Sequence, residues 1–453
     1  MRAWIVPKGC TSLDQLRLVE RTSPVAGARE VVVRVRAASL NYRDQAVVEG
    51  NYFGGAASRD LIPLSDGAGE VLTIGTNVTR FKPGARVAAT FFQPGPQPAA
   101  LGSPLDGMLA EQVVLNEDGL VPIPDHLSFE EAACLPCAGV TAWHALFHAG
   151  RPIKAGETVL VLGTGGVSIA ALQFANAAGA RVIATSSSDD KGARAKALGA
   201  SDVVNYRLTP DWEQEVRKLT SGRGVDCVIE IGGAGTLARS IRSLARGGKV
   251  GLIGFLAGRE GDTNPTPLMM VGGSLHGIFV GDRDMFEEMN RAIAVNQIKP
   301  VIDRVFPFDS APAAYQHQAS RAFVGKIVIA MQSWRTASAG PVAVVVSGFS
   351  RTKERVMNPN RREFIVRSTL AIAAGAIGSP RLFAQQPAAA PAPPTVPVFT
   401  SLRRNVGTFT ARGGTMGWMV GPDAVVVIDS QFADTSKMFL DGFRPMIGSR
   451  KID

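Results

Sequence analysis

Cysteine is scarce: 453 residues hold four, Cys10, Cys134, Cys137 and Cys227. That is too few for a disulfide framework in so long a chain and fits a reducing, cytoplasmic setting. No apolar run reaches the ~20 residues that a membrane-spanning helix needs, so no membrane partner is expected. The opening MRAWIVPKGCTSLDQL has no apolar block after its arginine and lacks the form of a signal peptide. A strong excess of one charge is also missing from the main body. Lys+Arg number 48 and Asp+Glu 39, a net of +9, yet 14 of the former and 7 of the latter fall from Thr336 onward. The net is therefore +7 in the last part and only +2 before it. So balanced a body gives no electrostatic reason to expect nucleic acid as a partner.

What is present is an ordinary globular composition, 45% hydrophobic and 19% charged, in a length that suits about two to four domains. The first 120 or so residues are β-rich. EVVVRVRAASL, GAGEVLTIG, ARVAATF and LAEQVVL are short and Val-rich, separated by turn signals such as KPGAR, as in a small barrel. Ser128 with Glu131 then forms a capping box ahead of the helical pattern FEEAACLPCAGVTAWHALFHAG. From Gly156 to about Gly281, continuous apolar strands (ETVLVLG, ARVIATS, SDVVNY, VDCVIEI, GKVGLIGF, LHGIFVG) alternate with helices, which predicts an α/β doubly wound parallel sheet. DMFEEMNRAIAVNQ reads as a helix, and PVIDRVFPF, APAAYQHQ and GKIVIAM close the unit near Met331.

VLVLGTGGVSIAALQFA carries the strongest chemical signal. Gly163, Gly165 and Ser168 fall on a G-x-G-x-x-small frame between a strand and a helix. Glycines allow a tight turn and a close backbone approach to a pyrophosphate, which rests on the helix N-terminus. An acidic residue closing the second strand, ~20 residues on, would hold the ribose 2′-OH of NAD. Here that strand ends in Thr185, Ser186, Ser187 and Ser188, with Lys191 following. Hydroxyls and a lysine suit a 2′-phosphate, so the cofactor expected is NADP (NADPH). Asp189 and Asp190 come late for the ribose and suit the cap of the next helix.

Several stretches together resemble the medium-chain dehydrogenase/reductase superfamily, and within it the zinc-independent quinone oxidoreductase-like branch. They are LNYRDQAVV, PLSDGAGEV, LPCAGVTAWHAL, GTGGVSIAALQFA, Asn205-Tyr206, IGF and FVGKIVI, and they span residues 1–332. The resemblance implies a GroES-like catalytic domain in residues 1–124 that resumes at 282–332. A Rossmann domain at 125–281 is inserted between, with the cofactor in the cleft. It implies that Asn41, Tyr42 and Asp44 border the nicotinamide, with Tyr42 as proton donor or orienter, or else packing on the ring. Thr141 is expected at the nicotinamide end and Tyr206 near the 2′-phosphate. The other cofactor residues expected are Gly163, Thr164, Gly165, Gly166, Val167, Ser186, Ser187, Lys191, Ile253, Gly254, Phe255, Phe279 and Lys326.

Zinc-dependent members bind a catalytic metal through Cys, His and Cys. Asn41 stands at the first of these positions and Ser65-Asp66 at the second, so that only Cys137 resembles a ligand. The lobe that would hold structural zinc has no cysteine, and no metal is expected. Cys134-x-x-Cys137 lacks zinc partners and reads as part of a helix lining the cleft. His144 and His148 read as helix-face residues, since no third ligand accompanies them. Without metal, quinones and α,β-unsaturated carbonyls are the favoured substrates. A zinc-independent alcohol or aldehyde dehydrogenase and a non-catalytic NADPH-binding protein are the alternatives. Phe53, Phe91, Phe92 and Phe255 are candidates for an apolar pocket. The resemblance also implies a homo-oligomer, dimer or tetramer.

The tail departs from this pattern. After a linker at 333–357, residues 358–384 (NPNRREFIVRSTLAIAAGAIGSPRLFA) have the form of a twin-arginine export signal, with Arg361-Arg362, an apolar stretch and Ala384. A Pro/Ala-rich linker at 385–397 leads to 398–453, which resembles the first strands of metallo-β-lactamase-fold hydrolases and reaches Asp429 without any histidine. The simplest reading is a fusion of a cytosolic reductase to the start of an exported protein, in which the internal export signal does not function.

Overall fold

The computed structural model describes residues 1–331, apart from Asp262, and four strands between residues 398 and 428. The chain divides into two units, Met1–Ala343 and Val344–Asp453. In the second, strands Val398–Arg403, Val406–Ala411, Gly414–Val420 and Val425–Ile428 form an antiparallel meander. The predicted linkers and the export-signal segment lie outside the described residues.

The first unit is built on two large sheets. In one, strands from both ends of the unit meet. Its path runs Ile302–Pro307, Lys326–Ala330, Glu30–Leu40, Asp66–Ile74, Arg86–Ala89, Leu120–Pro122, with Gln112–Asn116 also paired to Glu30–Leu40. Strand Glu30–Leu40 serves two partners on one edge. Glu30 to Arg34 pair with Gln112–Asn116, and Ala37 to Leu40 with Lys326–Ala330. Register shifts at Val32/Val33 and Val35/Ala37 bend it between these roles, as bulges do in barrels. The late strands thus complete a sheet begun by the early ones.

The other sheet has six strands, all parallel, in the order Asp202–Asn205, Arg181–Ser186, Thr158–Val161, Val225–Glu230, Leu244–Leu252, Ser274–Gly277. Thr158–Val161 and Val225–Glu230 are buried at every position, because helices cover both faces. Chain order reverses between these two strands, and in such sheets ligands bind beyond the carboxyl ends at that point.

Residues 129–148 form a nearly continuous helical run between the sheets. Ser128 Oγ accepts from the Glu131 N–H at 3.2 Å while Glu131 Oε2 accepts from the Ser128 N–H at 2.8 Å, the predicted capping box. The run widens to π turns at Leu135–Gly139 and His144–His148. At its far end the buried Lys249 ammonium donates to the carbonyls of Leu146 (3.0 Å) and Ala149 (2.8 Å), where a helix carries unpaired oxygens.

Candidate active site

A long cleft runs beyond the carboxyl ends of the parallel strands, walled on one side by the first sheet and helix Tyr42–Val48. Its floor is the glycine turn. Gly163 holds φ +73°, a conformation that favours glycine, and its N–H donates to Thr185 Oγ1 at 2.9 Å. A Cβ on Gly165 would meet nothing within 4 Å, so the turn presents open backbone to the cleft. Gly165 is also the N-cap of helix Gly166–Ala177 and offers its first turn no capping side chain. Ser168 is buried and donates to Leu162 O at 2.6 Å, which seats the helix on its strand. An uncapped twelve-residue helix aimed at a cleft over bare glycine fits the pyrophosphate of a dinucleotide. The closing strand locks this turn, since the Gly325 N–H donates to Thr164 O at 2.9 Å.

At the end of the second parallel strand the cleft is lined by Ser187, Lys191, Tyr206 and Arg321. Ser188, not the acids, caps helix Asp189–Ala197, and Asp189 and Asp190 occupy its first turn. Asp189 accepts from Asn205 Nδ2 at 2.8 Å. Burial, then the neighbouring Arg207, lowers the Lys191 pKa.

At the opposite end the structure gathers the positions that resembled metal ligands. Asn41 Nδ2 donates to Ser65 Oγ at 3.4 Å, and Ser65 donates to Asp66 Oδ1 at 2.8 Å. The Cys137 N–H donates to Asp66 Oδ2 at 3.2 Å. Lys326 Nζ joins this set, donating to Asn41 Oδ1 at 2.5 Å and Leu40 O at 2.6 Å, with Asp66 Oδ2 at 3.7 Å. Burial, then Asp66, pushes the Cys137 thiol well above its ordinary pKa. An amide, a hydroxyl committed to Asp66 and an ammonium stand where zinc would need imidazole or thiolate, and the Asp66 carboxylate is already engaged by Ser65, the Cys137 N–H and Lys326, so the set does not fit a zinc ion. Among the described residues, no three or more His, Cys, Asp or Glu are grouped to hold a metal.

Aromatic side chains line the mouth. Tyr42, 46% exposed, stands edge-on to Phe255 at 5.9 Å, and Phe53 stands edge-on to the same ring at 5.4 Å. Arg259 lies over the Phe255 and Phe53 rings and donates to Asn51 O at 2.7 Å, bridging the two walls. Phe91 also lines the cleft, whereas Phe92 packs behind it against Phe91 and Phe279.

Of the expected site residues, Asn41, Tyr42, Thr141, Gly163, Thr164, Gly165, Gly166, Val167, Ser187, Lys191, Tyr206, Ile253, Gly254, Phe255, Phe279 and Lys326 all line this one cleft. Two do not. Asp44 is buried behind helix Tyr42–Val48, where its carboxylate turns back to accept from the Asn41 N–H at 2.7 Å. Burial raises its pKa to about 6, against the opposing pull of Arg43. Ser186 is also buried, on the other side of its strand from Thr185, and donates to Ser188 O at 2.8 Å. His144 and His148 pair with Val280 O and Glu288, and all four cysteines are free.

The sequence reading missed Glu230, Arg259 and Arg321. Buried Glu230 accepts from Gly232 N–H (2.6 Å), Gly233 N–H (3.1 Å), the Thr236 hydroxyl (2.6 Å) and the Ser240 hydroxyl. It thereby fixes a loop that lines the cleft. An acid closing an apolar strand just before Gly-Gly-x-Gly was the available signal.

Comparisons with known proteins agree with this architecture. A family described as alcohol dehydrogenase GroES-like domain matches residues 27–125, and one described as zinc-binding dehydrogenase matches 166–295. A zinc-type alcohol dehydrogenase-like protein of Schizosaccharomyces pombe is 43% identical over 342 residues, covering 72% of this chain and 98% of its own. A quinone oxidoreductase of Sus scrofa is 29% identical, covering 68% and 90%. The crystal structure of an NAD-dependent alcohol dehydrogenase is 34% identical, covering 73% of this chain and all of its own, with a TM-score of 0.68. These matches lend no support to the resemblance of the tail to metallo-β-lactamase-fold hydrolases. No helix among the described residues is long and apolar enough to cross a membrane. With a glycine turn at the switch point of a 3-2-1-4-5-6 parallel sheet and a sheet closed by strands from both ends, the chain belongs to the medium-chain dehydrogenase/reductase superfamily and is a nicotinamide-dependent oxidoreductase.

Proposed function

We propose that this protein reduces a quinone or an α,β-unsaturated carbonyl with NADPH and without a catalytic metal. The observation that carries the reading is the hydrogen-bonded set Lys326–Asn41–Ser65–Asp66 at the metal-ligand positions. A plain ketone or alcohol gains most from a Lewis acid, whereas a conjugated acceptor is already electron-poor. When bound, the reduced nicotinamide supplies a hydride. Around it, this chain's residues orient, exclude water and move a proton. Tyr42 carries a phenol in the cleft and is the group to protonate the substrate oxygen. Phe53, Phe91, Phe255 and Phe279 keep the reacting end apolar and suit a flat, conjugated substrate.

NADPH is favoured over NADH by Ser187, Lys191, Tyr206 and Arg321 at the ribose end, where no acidic side chain lines the cleft among the described residues. A zinc-independent alcohol or aldehyde dehydrogenase is the second reading, and the relatives named for alcohol dehydrogenase favour its substrate class. A steady-state screen of quinones, enals, enones and alcohols with both cofactors tests both. Turnover of quinones or enones with NADPH, surviving exhaustive chelation, is the expected result. Stoichiometric zinc lost together with activity, or turnover of alcohols alone, overturns the proposal.

A further inference from the structure

The hydrogen-bond pattern at the metal-ligand positions fixes the direction of one side chain. An ammonium can only donate, so the oxygen of the Asn41 amide is the atom that faces Lys326 Nζ. Ser65 has already committed its proton to Asp66, so Ser65 Oγ is free to accept from Asn41 Nδ2. Both neighbours therefore demand the same orientation of the amide. The NH2 has two protons, and Ser65 takes one. Asn41 lines the cleft beside Tyr42 and Thr141, and its helix is anchored from behind by Asp44.

We infer that the second Asn41 Nδ2 proton is the hydrogen-bond donor for the substrate oxygen, and that Lys326 is the positioning residue that holds it there. The inference rests on the proposed reduction of a carbonyl-bearing acceptor. As hydride adds, negative charge gathers on that oxygen, and a donor fixed beforehand costs no reorganisation. Lys326 sets the amide by occupying its oxygen and adds positive charge behind it. It can do so because Gly166 has no side chain: a Cβ there would lie 2.6 Å from Lys326 Cδ. The buried ammonium is itself satisfied by Leu40 O and by the nearby Asp66 carboxylate. A metal-dependent relative would need these positions for ligands; here the same spot makes a donor out of an amide.

Three variants test it. Asn41→Asp keeps the contact to Lys326 and removes the donor, and Asn41→Leu removes the donor without adding charge. Each should lower kcat by about 10²–10³-fold, as loss of one oxyanion donor does, while NADPH affinity is unchanged. Lys326→Met frees the amide to turn and should lower kcat by about tenfold, again without weakening NADPH; Lys326→Arg should recover part of that loss. A second readout needs no turnover. The oxygen of 4-nitrophenolate mimics the developing charge, and its absorption reports binding to the protein–NADP⁺ complex. Affinity should fall in all three of Asn41→Asp, Asn41→Leu and Lys326→Met. Unchanged kcat and phenolate binding in Asn41→Leu overturns the inference. So does a Lys326→Met variant that loses NADPH affinity and keeps kcat, which would make Lys326 a cofactor contact. Absence of any turnover in the unaltered protein instead strikes the proposed reaction, and phenolate binding still decides the donor.

Discussion

The Lys191 ammonium donates to the main-chain oxygen of Arg321 at 2.9 Å, joining the helix after the second parallel strand to the segment that leads into the closing strand. Burial and Arg207 already depress this lysine, so an anion placed beside it gains more than it would at an ordinary surface lysine.

NADPH is therefore expected to bind at least ~10-fold more tightly than NADH, the value of about one charge-assisted hydrogen bond. Lys191→Ala should erase most of that preference and leave NADH affinity unchanged. The sign with pH follows from the depressed pKa. The ammonium is lost as pH rises through a value below the ordinary 10.5. NADPH affinity should fall as pH rises through that value while NADH affinity stays level. Fluorescence titration of both cofactors against pH checks this; equal affinities unaffected by Lys191→Ala would mean that the strand end does not read the phosphate.

Tyr42 offers its phenol to the cleft and its ring edge-on to Phe255. A proton donor acts in the transition state, so Tyr42→Phe should lower kcat by roughly 10²–10⁴-fold and change NADPH affinity little. Full turnover with every accepted substrate would reduce Tyr42 to a packing residue.

Much of this site was legible in the chain because its signals are local. The glycine turn needs residues of fixed type at fixed spacing, and strand–helix alternation shows whether the context is right. Asn41 and Ser65 could be named as departures from a ligand set for the same reason. What the sequence could not show is which side of an element a residue takes. Ser186 and Ser187 look alike in a run of serines, yet strand alternation buries the first and exposes the second to the cleft. Asp44 sits in a motif that borders the cleft but occupies the third turn position of its helix, where a carboxylate caps better than it catalyses. Glu230 acts on the loop that follows it in sequence, whereas Arg259 and Arg321 act through tertiary contacts that no spacing encodes.

Asp44 should leave a mark on stability against pH. Its carboxyl titrates near 3.8 in an unfolded chain and at about 6 when folded, chiefly because it is buried. A raised folded pKa means that the native state holds the proton more tightly. The resulting stabilisation is complete below about pH 3.8 and is lost as pH rises through about 6. Asp44→Asn keeps an acceptor for the Asn41 N–H and cannot ionise. Relative to this variant, the unaltered protein should lose roughly 2–3 kcal/mol between acidic and neutral pH. Urea denaturation at a series of pH values measures it. Parallel profiles for the two proteins would show that Asp44 ionises at its ordinary pKa.

The last prediction concerns where the reductase ends. Strand Lys326–Ala330 is interior to its sheet, paired with Glu30–Leu40 on one side and Ile302–Pro307 on the other, and buried at every position. Its removal would expose core and strand edges, and would take away Lys326 as well. Just beyond it, the Met331 N–H still donates to Arg36 O at 2.9 Å. A chain ending at Trp334 retains all of these contacts and every cleft residue named above. It should fold, bind NADPH as tightly as the full chain and keep its rate. It should also be the more soluble of the two, since it lacks the apolar stretch of residues 358–384. In the full chain, dilute protease should cut first in the Pro/Ala-rich stretch 385–397 and around residues 351–367, where Pro/Ala-rich and Arg-rich sequence gives little apolar material to bury. Activity, size exclusion and limited proteolysis of both proteins make the comparison. If the shorter chain fails to fold or loses its cofactor, the tail is part of the enzyme, and the fusion reading of the sequence is wrong.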